Sequence, residues 1–296
     1  KGCAMEKMYQ FTRMSRAIDP RYPTNLAIII WTVIVAVAMF IFQTVSGMEF
    51  VSAGIASILG SGSVILTWII AREIDPEEQL SAFVGVLLMS IAVFVMDVQF
   101  NLIVLFYISS MSRIVNRTIG PAVTLLDSIF LLIFTAFVGF AGSWIYAMMG
   151  ATAFLLDSLL PDRDRKHLVF AGLATVIMVA AFLAQSGQLV PILPTTEFII
   201  GIIGVTFIFV PVVLKSRRLT VVADMTSEPC MPIRVQAAQV LALLFGYHVA
   251  LWQGNLGILE LLPLWTAIAG VSLFPLVKPF LPDWDLSPRS YFRDGE

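Results

Sequence analysis

Long uncharged runs broken by short charged clusters set the pattern of this chain. Phe50–Ala71 holds no charged residue, and is followed by Arg72-Glu73-Ile74-Asp75-Pro76-Glu77-Glu78, with five charges in seven positions. A membrane helix needs roughly 20 apolar residues, with about 17 tolerable. By that measure helices are predicted within 22–48, 50–71, 79–96, 98–112, 168–184, 198–214, 235–252 and 261–277. The stretch 117–157 carries one charge, Asp127, and a break at Gly139/Gly142 divides it into a fifth and a sixth helix. The reading is an all-α integral membrane protein of about ten transmembrane helices. The fourth run is short, since its 15 uncharged positions reach only about 22 Å. Eight spans plus a re-entrant pair therefore stays open.

Composition agrees. The chain is 58% hydrophobic and 13% charged, with a mean hydropathy of +0.90, too apolar for a soluble protein of 296 residues. Residues 1–296 are read as one polytopic domain: a polar segment 1–24, a helical bundle 25–278 and a tail 279–296. Cys3 and Cys230 make neither a disulfide framework nor a zinc site, no metal is expected, and no sequence feature names a cofactor.

Charge then sets the orientation. All 18 Lys and Arg fall in the N-terminal segment, in the 2/3, 4/5, 6/7 and 8/9 connections, or in the tail. The positive-inside rule places those segments, and both termini, in the cytoplasm. The expected location is the inner membrane, multi-pass, with the lipid bilayer and other membrane subunits as partners. Scattered basic residues offer nothing to nucleic acid.

The acids carry the candidate chemistry. Glu49, Asp97, Glu197 and Glu260 lie on the outer side, each just before a helix that starts there. They match the positive end of the helix dipole, or they line a cation vestibule. Asp75, Pro76 and Glu78 are predicted to cap the third helix, which makes the 72–78 cluster helix punctuation. Asp157 has the wrong sign for a helix C-terminus, so a partner is expected among Arg163, Arg165 and Lys166. Asp127, ten residues past Arg117, is predicted about 15 Å along its helix, near the bilayer centre. There a carboxylate marks a proton or ion pathway, or bonds to Thr124 as packing glue. His248 is expected to be the one embedded histidine, structural or a proton relay.

Three readings follow. The first is a small secondary transporter or permease with proton or cation coupling, similar to the drug/metabolite transporters in topology. The second is a non-catalytic membrane subunit or assembly factor. The third rests on acids in the 2/3 loop (Asp75, Glu77, Glu78) and the 6/7 loop (Asp157, Asp162, Asp164), a placement that resembles the UbiA-type prenyltransferases. That resemblance implies Mg²⁺ held between carboxylates and a diphosphate. The family's acids recur every four residues, whereas Ala71 and Thr67 stand four and eight before Asp75 here.

Overall fold

The computed structural model describes residues 12–14, 18–96, 100–185, 190–224, 226 and 228–281. Among them are ten α-helices: α1 (Pro23–Val45), α2 (Phe50–Ile74), α3 (Ser81–Val95), α4 (Leu102–Asn116), α5 (Leu125–Ala141), α6 (Trp144–Leu159), α7 (Lys166–Ala184), α8 (Thr196–Lys215), α9 (Pro232–Glu260) and α10 (Leu262–Val277). Short 3₁₀ turns extend α8 and α10. Six of these, α1, α2, α7, α8, α9 and α10, are long and apolar enough to cross a membrane, and α3–α6 are shorter apolar helices. The chain is an all-helical, multi-pass membrane protein.

Local chemistry sets the ends. The Glu49 carboxylate accepts from Val51 N and Ser52 N, capping α2, and those bonds hold its pKa below the usual range. Asn101 caps α4 through Val104 N, and Ser143 caps α6 through Ile145 N. Arg117 stops α4 in the left-handed region at φ 53°. Residues 118–124 then turn, with Gly120 at φ 136°, before a capping box of Thr124 and Asp127 opens α5. α9 is broken at Gly254, whose φ of 64° and ψ of −144° suit only glycine.

Two of the expectations above fall here. α3 begins at Ser81 with Leu80 as its cap, so Asp75 and Pro76 do not start it; Asp75 instead follows the last residue of α2. Asp127 is the third residue of α5, not its midpoint, because 118–124 is a turn despite its apolar residues. Asp97 lies outside the described residues.

α4 and α9 join two groups of helices. On one side α2 packs on α1, α3 and α10, and α10 also packs on α3 and α8; on the other α6 and α5 pack on α7 and on each other. α4 touches α2, α5, α6 and α9, and eleven of its 15 residues are buried. By contrast α1 and α8 bury only three residues each, and their remaining apolar faces are free for lipid. α3 and α10 meet backbone to backbone: a Cβ on Gly270 would collide with Gly85 N and Cα. Such small-residue contacts stand in for a hydrophobic driving force within lipid.

Candidate functional site

The ends of α2, α4 and α6 and the start of α9 share one end of the bundle, where four groups of polar side chains form. The first is centred on Asp157, which is fully buried in the last turn of α6. Arg117 reaches it at 2.8 Å, Arg234 Nη1 at 2.7 Å and His167 Nδ1 at 2.6 Å. Arg234 is 1% exposed and also donates to the carbonyls of Pro161, Val115 and Asp162. The partners expected from sequence, Arg163, Arg165 and Lys166, are not the ones used: Lys166 pairs with Asp164 and with Val123 O. Charges from three other segments have closed on Asp157 instead.

The buried histidine is His167, with no exposed surface; His248 is half-exposed, and its Nδ1 lies 2.7 Å from Leu244 O. His167 Nε2 lies 2.9 Å from Ser128 Oγ, so Ser128, His167 and Asp157 stand in the order of a nucleophile, base and orienting acid. Ser128 is fully buried and its hydroxyl also lies 2.9 Å from Thr124 O. No substrate reaches it, and the arrangement ties α5, α6 and α7 together.

In the second group Glu73, 1% exposed, accepts from Arg113 Nε, Asn116 Nδ2 and Thr118 Oγ1. Arg113 also donates to Met14 O, and Arg13 N donates to Asp127 Oδ2. Asp127 further accepts from Thr124 N and Oγ1. A cavity of about 360 Å³ lies here between α2, α4, α5 and the segment from Thr12 to Asn25. Arg72, Glu73, Arg113 and Asp127 form its polar part, and Trp68, Ile69, Phe106 and Phe130 its apolar part.

The third group answers for the charged cluster 72–78. Glu77 accepts from Thr220 N, Thr220 Oγ1 and Val221 N, and Glu78 pairs with Lys215 and Lys278. The cluster is a clasp between the 2/3 and 8/9 connections and the end of α10, not helix punctuation. Burial raises the Glu78 pKa, but bonds from Lys278 and Lys215 outweigh it and leave the carboxyl below its usual range. Asp75 beside it is pushed up to about 6 by burial, against opposing effects of Lys215 and a Ser81 hydrogen bond.

The fourth group is at the opposite end. Tyr146 donates to Glu260 at 2.7 Å, and Asn101 Nδ2 donates to Glu260 at 3.0 Å. Gln253 lies beside Tyr146 through a 3.3 Å bond, one residue before the α9 break. Glu49 and Glu197 sit in or just before the first turns of α2 and α8 with local bonds, apart from this cluster. Among the described residues no three His, Cys, Asp or Glu side chains could hold a metal ion together. The acids of the 2/3 and 6/7 loops go to separate partners, so the prenyltransferase-like expectation finds no convergent ligand set.

Arg117, Arg234, His167, Glu73 and Tyr146 were not singled out by sequence. One signal was available. Arg234 is a cation in the first turn of a helix, as ill-placed as Asp157 at the end of one, and the two neutralise each other. Comparison with known protein families, with curated proteins and with solved structures finds no match to this chain.

Proposed function

We propose that this chain is a small secondary transporter of the inner membrane, with ten crossings and both termini in the cytoplasm. The observation that carries this reading is an asymmetry between the two ends. A cavity lined by both charges and aromatic rings lies at the end where Arg72, Arg113, Arg117, Lys215 and Lys278 gather. The opposite end is closed across α4, α6 and α9 by the bonds of Glu260 to Asn101 and Tyr146. A cavity at one face and a polar closure at the other is what one state of an alternating-access carrier requires. Between them the buried Tyr107–Thr135 hydrogen bond, 3.0 Å long, gives α4 and α5 a polar contact at mid-depth.

With Asp127 moved to a helix start, Glu260 becomes the better candidate for proton or cation coupling. Protonating it would weaken its hold on Asn101 and free the outer closure. The test uses purified protein in vesicles with a trapped pH-sensitive dye, challenged with zwitterionic and amphiphilic solutes. Solute-dependent proton movement that disappears in Glu260→Gln is expected. Reporter fusions after residues 47 and 255 should read outside, and those after 165 and 225 inside; the opposite signal overturns the orientation.

A non-catalytic membrane subunit is the second reading. It is favoured by the closed character of the Asp157 and Glu73 networks, which leave their acids fully engaged with protein groups. Wild-type vesicles that move neither solute nor protons, together with a stable partner on native gels, would select it.

A further inference from the structure

The cavity between α2, α4 and α5 changes character along its length. Along α4 the lining runs from Phe106 to Arg113, seven residues or about 10 Å, and along α2 from Trp68 to Arg72, about 6 Å. Its polar part is therefore at the helix ends and its apolar part about two turns deeper, the gradient of the headgroup-to-acyl boundary of a bilayer. Phe106 and Phe130 are 46% and 54% exposed, so the apolar part adjoins the surface left open to lipid. The polar part presents two guanidinium groups and two carboxylates, offering both signs of charge to a ligand head.

One atom lacks its expected complement. Trp68 is 5% exposed, lines the cavity, and its indole Nε1 has no hydrogen-bond partner among the described residues. Indole N–H is a donor only, and buried donors are nearly always satisfied. The missing group is an acceptor oxygen, one helical turn deeper than Arg72.

We propose that this cavity binds a single-chain zwitterionic ester amphiphile, of the lysophospholipid type, drawn from the leaflet at the charged end of the bundle. The head meets Arg72, Arg113, Glu73 and Asp127, the ester carbonyl accepts from Trp68 Nε1, and the chain leaves past Phe106 and Phe130. The volume fits this division. At roughly 30 Å³ per water-sized group, 360 Å³ takes about a dozen groups, enough for head and ester with the chain lying outside. The inference deepens the transporter reading by naming the class of its substrate.

The test places the protein in nanodiscs of saturated diacyl lipid and titrates in a zwitterionic lysophospholipid brominated close to its ester. Saturable tryptophan quenching is expected, and should be lost in Trp68→Phe. Ser110→Leu, which puts an apolar side chain into the cavity, should raise the half-saturating concentration at least tenfold. A fatty acid and an alkyl maltoside of equal chain length should compete at least tenfold more weakly than the unbrominated lysophospholipid. Quenching that does not saturate, that survives Trp68→Phe, or that all three compete for equally overturns the proposal. Should either variant fail to fold, the competition order on wild-type protein decides alone. Binding without movement across vesicles would sink the transporter reading and leave this site standing. Movement of a solute without this binding would do the reverse.

Discussion

Asp157→Asn removes one negative charge and almost no volume from the buried centre of the charged end. What it leaves behind decides the cost. Arg117 retains Asp162, a carboxylate 2.5 Å away. Arg234 retains only carbonyl oxygens, which accept its hydrogens without cancelling its charge. At 1% exposure it has no access to water. Breaking a buried pair by removing one partner typically costs about 3–5 kcal/mol, and the full amount is expected here. Removing the orphaned charge as well, in Asp157→Asn with Arg234→Met, should recover about 2–3 kcal/mol. Pairing Asp157→Asn with Arg117→Met should recover less, because Asp162 would then lose its cation. Unfolding by SDS in mixed micelles, followed by tryptophan fluorescence, gives all the free energies on one scale. A single variant within about 1 kcal/mol of wild type would refute the reasoning, and so would strictly additive double variants.

Two further predictions use the same assay. Asp75 binds its proton more tightly folded than unfolded, so the unfolded chain holds fewer protons between pH 3.8 and about 6, and stability falls as pH rises through that window. Asp75→Asn should therefore be more stable than wild type at pH 7, by up to about 3 kcal/mol at 1.36 kcal/mol per unit, with the gap closing toward pH 4; a gap independent of pH would contradict the assignment. Gly270→Ala should cost more than the roughly 1–3 kcal/mol of ordinary overpacking, since backbone, not a flexible side chain, receives the new methyl. Gly172→Ala on α7, with nothing within 4 Å of the added atom, should be neutral or stabilising, and equal effects at the two positions would argue against the α3–α10 contact.

The helices were legible because each is the length of an uncharged run, and length and apolarity are properties of one segment. The run beginning at Phe50 gave α2 to within a few residues, and that beginning at Leu261 gave α10. Asp127 was misplaced for a related reason. Thr118–Val123 is as uncharged as the helices around it, and only Gly120-Pro121 marks it as a turn. Reading that dipeptide as a breaker would have moved α5 to its true start. The charged clusters were harder. Glu73 and Arg113 are 40 positions apart, Asp157 and Arg234 77, and Glu78 and Lys278 200. Such pairings depend on which helix lies beside which, and no local pattern encodes that. A residue with the wrong sign for its helix end was the one local symptom, and it identified Asp157 as needing a partner without saying which.

α3 and α4 contain 15 residues each and α6 and α10 contain 16, so they rise only about 22–24 Å. Hydrocarbon averages about 30 Å in thickness. α1 and α2, at 23 and 25 residues, have length to spare and can tilt. The molecule is thus unequally tall around its perimeter, and apolar Leu87, Ile91 and Val95 of α3 face outward on the low side. A bilayer enclosing it must thin next to α3 while keeping its ordinary thickness next to α1. Such hydrophobic mismatch costs fractions of a kcal/mol per Å. The chain should accordingly favour thin membranes, and its own shape would compress the leaflets on one flank.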